Sequence, residues 1–222
     1  MLLFHSFIIM SPLPFIAPTT ILIAGPTFSG KSFLAANIIR QQSDIFSIKP
    51  TQILYCYSQY QPLFTQLEDE ISNLKFIKGL PNSQDIETLT KDSPHSLCIL
   101  DDLMSEVISS QFCLHLATRV SHHAKMSLIY ITQNLFANSR FSRSLNLNMA
   151  YSIICKNPKE YVQVKEFARR LGGNSNHAMM EAYDDILKQP FGYLLVDLNS
   201  KSNDHYRFRT NIFTEPIIYL YK

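Results

Sequence analysis

One segment, GPTFSGKS at Gly25 to Ser32, constrains this chain more than any other feature of its sequence. It fits the pattern G-x-x-x-x-G-K-[ST], follows the apolar run TTILIA and precedes the helix-compatible stretch SFLAANIIRQQ. Strand, glycine-bracketed turn and helix are the setting in which this pattern forms a phosphate-binding loop. Gly25 and Gly30 let the backbone bend so that successive N–H groups converge on a phosphate, and the start of the helix adds the positive end of its dipole. The binding segment is therefore Gly25, Pro26, Thr27, Phe28, Ser29, Gly30, Lys31 and Ser32. Lys31 is expected on the β- and γ-phosphates, and the Ser32 hydroxyl on Mg²⁺.

Strand-like apolar runs lie at Thr20 to Ala24, ahead of the loop, and then at Ile53 to Tyr57, Leu97 to Leu100, Leu128 to Thr132 and Tyr151 to Cys155, separated by helix-sized segments. Runs without polar alternation suit strands covered on both faces, as in a parallel sheet flanked by helices. The class is α/β. Two of the intervening segments read as amphipathic helices. Val164, Phe167, Ala168 and Leu171 form one stripe, closed by Gly172, Gly173 and Asn174, and Met179, Ala182, Tyr183, Ile186 and Leu187 form the other. Tyr193 to Val196 and Tyr206 to Ile212 look like a C-terminal β-hairpin. With 46% hydrophobic and 17% charged residues the chain can bury a core, and residues 1–222 are expected to form one domain.

The run SLCILDDLM delivers Asp101 and Asp102 at the carboxyl end of a strand, the edge at which open α/β sheets bind ligands. Asp101 is the expected Mg²⁺ holder, with Ser32, and Asp102 the group that polarises an attacking water. The run SLIYITQN ends in uncharged polar groups, and Gln133 is the candidate sensor of the γ-phosphate or its water. That assignment expects this strand to lie between the phosphate-loop strand and the acidic strand. The stretch NLFANSRFSRSLNLN then carries Arg140 and Arg143, candidates for completing a neighbouring subunit's site or contacting DNA phosphate. A guanine-reading N-K-x-D motif is missing, since KNPK at Lys156 to Lys159 lacks the acid.

Net charge is +2 and the pI about 8.3, so nucleic-acid binding would need a local patch. Cys56, Cys98, Cys113 and Cys155 are widely spaced and read as reduced thiols of an intracellular protein. The segment 1–17 opens with MLLFHSFIIM, which is too short to span a membrane and a poor signal peptide; an edge strand or docking segment is expected. Among the seven histidines only His122 and His123 adjoin, and no zinc-ligand spacing appears.

Taken in order, GPTFSGKS, CILDDLM, SHHAKMSLIYITQNLF, SRSLNLN, CKNPKE and FGYLLVDL resemble the genome-packaging ATPases of the FtsK/HerA group. The likeness is to the poxvirus-type branch carried by Maverick/Polinton elements and adintovirus-like viruses, and runs from about Pro18 to Phe213. It implies a RecA-like P-loop fold, ATP and Mg²⁺ as cofactors, and a homo-oligomeric ring that pumps double-stranded DNA into a capsid. Capsid protein is then an expected partner, and the expected place is a virion assembly site in the host nucleus or cytoplasm, without secretion or stable membrane insertion. Lys31 and Ser32 match the family's Walker A, Asp101 and Asp102 its Walker B, and Gln133 its sensor glutamine. Relatives often carry arginine directly after SHH; here Ala124 and Lys125 stand there and Arg119 precedes the block. The residues alone also allow a helicase-like or DNA-transfer ATPase, a small-molecule kinase, or an ATP-binding assembly scaffold that does not translocate.

Overall fold

The computed structural model describes residues 13–103, 106–107, 116, 125–135, 148–172, 175–200, 202–213 and 219–220. Residues 1–12, Cys113, Arg119, the SHH block with Ala124, Arg140, Arg143, Gly173 and Asn174 lie outside them.

All five residues of β1 (Thr20–Ala24) are buried, because both flanks are paired and both faces are covered. Side chains alternate across a strand. Ile21 and Ile23 accordingly join a core under α1 (Lys31–Arg40), α2 (Gln42–Ile45) and α3 (Pro62–Glu70). Leu22 and Ala24 join a second core under α4 (Ser83–Thr90), α5 (Tyr161–Leu171) and α6 (Ser175–Leu187). Each fully buried Ile or Leu stabilises the fold by roughly 1.5 to 3 kcal/mol relative to an exposed one.

The other strands are β2 (Gln52–Tyr57), β3 (Leu74–Lys78), β4 (Ser96–Asp101), β5 (Met126–Thr132), β6 (Tyr151–Cys155), β7 (Tyr193–Asp197), β8 (Phe208–Thr210) and β9 (Tyr219–Leu220). They form one nine-stranded sheet in the order β3-β2-β4-β5-β1-β6-β7-β8-β9. From β3 to β6 every pairing is parallel; β7, β8 and β9 are added antiparallel. The strand β5 does lie between β1 and β4, as the Gln133 assignment expects. The pairing of β7 with β8 forms the expected hairpin, which extends the main sheet through β6 instead of standing apart.

Local signals bound two of the helices, at the start of α4 and at the end of α5, where the sequence suggests the stop. Asn82 and Asp85 form a reciprocal capping box at the start of α4, and Gly172, at φ 73°, follows α5. At the edge opposite the phosphate loop, Arg209 on β8 donates to Asp197 at 3.1 Å and to the Leu13 carbonyl at 3.1 Å, tying the antiparallel strands to the entering chain. Cys56, Cys98 and Cys155 are buried and outside any disulfide. Among the described residues no helix is long and apolar enough to cross a membrane.

The turn from α6 into β7 is packed without slack: a Cβ on Gly192 would stand 2.2 Å from the Ile186 carbonyl oxygen. That neighbour is backbone and cannot swing aside. Gly192→Ala is therefore expected to lose at least about 1 to 3 kcal/mol, the usual cost of overpacking. Urea denaturation checks this, and an unchanged midpoint would show that the turn yields.

Candidate functional site

The phosphate loop is shaped by a close approach. Gly25 N–H donates to the Thr132 carbonyl at 3.2 Å, and a Cβ on Gly25 would fall 2.5 Å from Cys155 Cβ and 2.8 Å from Ser29 Oγ. Only glycine fits there. Ser29 N–H turns back onto the Pro26 carbonyl, and Gly30, at φ 90° and ψ 13°, starts α1 from the left-handed region that other residues avoid. The first N–H groups of α1 thus open toward the loop.

Parallel register brings the acids to this loop. Tyr57 pairs with Asp101, and Asp101 with Ile131, while Ala24 pairs with Thr132, so the carboxyl ends of β1, β2, β4 and β5 share one edge. A cavity of about 840 Å³ lies on that edge, lined by Lys31, Ser32, Asp101, Asp102, Gln133, Phe191 and others. The Ser32 hydroxyl lies 3.5 Å from Asp101 Oδ2. Gln133 Nε2 donates to Asp102 Oδ2 at 3.1 Å, and Asp102 itself sits at φ 54°, turned out of the strand and exposed. Lys31 is half-buried and donates to the Pro26 carbonyl at 2.7 Å, so its amine packs on its own loop.

Four further residues reach the site from outside the phosphate loop and the strand-end polar groups. Tyr55 donates its buried hydroxyl to Asp101 Oδ2 at 2.7 Å. Its ring is fixed by Phe64 and Phe76, with centroids 5.0 and 5.1 Å away. Gln61, just before α3, donates to Ser32 Oγ at 3.2 Å. Cys155 sets the space around Gly25, and burial pushes its thiol up to about 11, keeping it neutral. Phe191 reaches the loop from the turn before β7. The cue for Tyr55 and Gln61 was the polar, aromatic run YCYSQYQ at a strand's carboxyl end; Cys155 and Phe191 open the blocks CKNPKE and FGYLLVDL, which by themselves pointed to no role at the loop.

Burial also sets the charges. It lifts Asp101 above the ordinary carboxylate range, with Asp102 adding to the lift, while Tyr55, Lys31 and Ser32 pull it back. It lowers Lys31 below the ordinary lysine value, against the pull of Asp101 and Asp102. The site holds one half-buried cation, one buried acid and one exposed acid in a partly dry cavity. Such an arrangement gains when polyphosphate supplies charge for Lys31 and a divalent cation supplies charge for Asp101. Ser32 and Asp101 are hard oxygen donors of the kind Mg²⁺ takes.

The sheet order, the glycine-shaped loop and the strand-end acids define a RecA-like P-loop NTPase fold. Among solved structures, the fold is similar to B204, the DNA-packaging ATPase from Sulfolobus Turreted Icosahedral Virus, with a TM-score of 0.55 at 16% identity over 96% of this chain and 98% of that one. B204 from Sulfolobus turreted icosahedral virus 2, in complex with ATP-gammaS, is similar with a TM-score of 0.51 at 16% identity, over 83% of this chain and 94% of that one. The cytoplasmic domain of the Thermomonospora curvata Type VII secretion ATPase EccC reaches 0.54 at 14% identity, over 91% of this chain and 25% of that one. No known family's sequence profile matches the chain, and no curated protein sequence matches it.

The raised Asp101 makes a signed prediction. A folded state that holds this proton more tightly than the unfolded chain loses stability as pH rises from the ordinary value of 3.8 through the raised one. Asp101→Asn removes that contribution. The nucleotide-free variant should be more stable than wild type at neutral pH, with the difference shrinking in acid. Denaturation curves of both proteins across that range check it, and a wild type that gains on the variant as pH rises would refute it.

Proposed function

We propose that this chain is an ATP-hydrolysing motor subunit that translocates double-stranded viral DNA into a capsid as part of a homo-oligomeric ring. The observation that carries the hydrolytic half is the contact of Gln133 with Asp102 beside Lys31, Ser32 and Asp101 in one cavity. A loop and a lysine alone bind phosphate; an exposed carboxylate held by a glutamine beside the γ position adds the means to activate water. The packaging half, and the poxvirus-type branch within the FtsK/HerA group, are supported by the ordered motif blocks in the sequence and by packaging NTPases among the structural neighbours. A virion assembly site inside the host cell and contact with capsid protein follow from the same reading.

In this mechanism the loop amides from Gly25 to Gly30 cradle the β-phosphate, and Lys31 leaves the Pro26 carbonyl to bridge the β- and γ-phosphates. Ser32 and Asp101 would hold Mg²⁺, which would supply positive charge against the phosphate oxygens. Tyr55 and Gln61 fix the orientation of Asp101 and Ser32. Asp102 takes a proton from the attacking water, and Gln133 orients that water and reports the γ-phosphate. Arg140 and Arg143, then Arg119, are the candidates for the guanidinium that a neighbouring subunit would contribute.

Turnover measured with and without duplex DNA, beside the mass of the assembly, tests the proposal. DNA-stimulated hydrolysis by a ring supports the motor. A monomer stimulated by a small phosphate acceptor, or a ring that binds ATP without turnover, refutes it. Lys31→Ala should lose ATP binding, whereas Asp102→Asn and Gln133→Ala should bind Mg·ATP and hydrolyse it about 10² to 10⁴ times more slowly. Wild-type turnover in Gln133→Ala would remove it from the chemistry. A Lys31→Ala subunit mixed with an Arg143→Ala or Arg140→Ala subunit should regain activity that neither has alone, and normal turnover by the arginine variants would reassign that stretch.

A further inference from the structure

Two exposed aromatic rings line the cavity in backbone conformations that bulky residues avoid. Phe28, within the phosphate loop, sits at φ 66° with 94% of its surface exposed, and Phe191, in the turn before β7, sits at φ 53° with 71% exposed. Left-handed backbone crowds the Cβ of an L-residue, and a bare aromatic face in water is unfavourable. Among the described residues the other non-glycine positions with positive φ are Asp92, Asp102, Lys125 and Asn211, polar residues that suit turns. The two aromatic cases both fall at this cavity. Backbone strain collects at places where a ligand is gripped.

The direction of the triphosphate decides which part of a nucleotide meets these rings. Asp101 and Gln133 mark the γ end, on the flank of β1 occupied by β5 and β4. Phe191 stands on the opposite flank. The strand β7 runs beside β6, and the Gly192 carbonyl accepts from Lys156 N–H at 2.8 Å, directly after β6. The Phe191 ring also lies 3.5 Å from the place a Cβ on Gly30 would take, so it rests against the loop itself. A nucleotide with its γ-phosphate between Asp101 and Gln133 sends its α-phosphate, ribose and base toward that flank.

We propose that Phe191, together with Phe28, is the platform on which the purine base of the bound nucleotide stacks. The inference rests on the nucleotide-binding reading of the site. Ring faces hold a base through dispersion and loss of water-exposed apolar surface. The two exposed rings are then one half of a stack that the base completes. Phosphate binding belongs to the loop amides and Lys31, and base binding to the aromatic flank, so the two can be measured apart.

Calorimetric titration of the full chain with Mg·ATP and with Mg·tripolyphosphate, which has no base, separates them. Phe191→Ala should weaken ATP by roughly ten-fold, the scale of losing one base–aromatic stack. Phe191→Tyr should retain ATP affinity, and tripolyphosphate should bind wild type and Phe191→Ala equally. Should Phe191→Ala fail to fold, Phe191→Leu, which keeps an apolar side chain but removes the ring face, provides the test and should show the same selective loss. Equal ATP affinity in wild type and the Phe191 variant overturns the platform. So does a parallel loss of tripolyphosphate, which would make the rings supports of the loop, and so does lost assembly with unchanged ATP affinity, which would make them a contact between subunits. A wild type that binds neither ligand overturns the nucleotide reading itself, and the platform with it.

Discussion

The end of β1 meets the end of β6 at a distance that admits no side chain on Gly25, and much of the site follows from that contact. A Cβ there would overlap Cys155 and Ser29, so the chain leaves the strand as bare backbone and turns at once. The turn stays anchored because Gly25 N–H is held by Thr132 at the end of β5. With β5 on one side and β6 on the other, the loop has one direction in which to open, toward the carboxyl edge where Asp101, Asp102 and Gln133 emerge. The positive start of α1 and the acids of β4 are brought within reach of each other by this geometry, not by their spacing in the chain.

Placing a carboxylate beside a lysine usually neutralises both, but here burial works against each. Asp101 is lifted and Lys31 lowered, so neither is fully comfortable in its charged form without a ligand. Tyr55 limits the cost by donating to Asp101, and it can do so because Phe64 and Phe76 hold its ring in place. The aromatic cluster under α3 thus reaches Asp101 through one hydroxyl. A site tuned in this way gives up stability in the empty state for affinity in the filled one, which is the common direction of that exchange.

What the sequence revealed follows from how each element is buried. The strands β1 and β6 were bounded to the residue, and β2, β4 and β5 to within two residues at either end, because strands covered on both faces are continuous apolar runs. The strand β3, LKFIK, escaped notice because it lies at the sheet edge, half-exposed, and alternates with lysine. Helices α3 and α4, with short apolar stripes, were equally quiet. The phosphate loop, Asp101, Asp102 and Gln133 were legible because each ends or follows an apolar run at the ligand edge. Tyr55, Gln61, Cys155 and Phe191 were not, since they reach the site through sheet register and a turn distant in sequence.

The antiparallel extension explains why the two flanks of the cavity are built from different material. A parallel strand after β6 would have required another crossover and a carboxyl end at the same edge. The chain instead returns through α5 and α6 and enters β7 from the ligand edge, which puts the turn before β7 beside the loop. Lys156 secures that turn twice, through its N–H to Gly192 and its amine to the Gln189 carbonyl, and Tyr183 clamps the following Asn157 through one hydroxyl that both accepts and donates. The CKNPKE segment therefore fixes where Phe191 stands. At the far edge the buried Asp197–Arg209 pair holds β7 to β8, and a charge pair of this kind is costly to break from one side only. Asp101 and Asp102 thus stand on the parallel half of the sheet and Phe191 at the entry to its antiparallel half, so a substitution on one side need not disturb the strand pairing that holds the other.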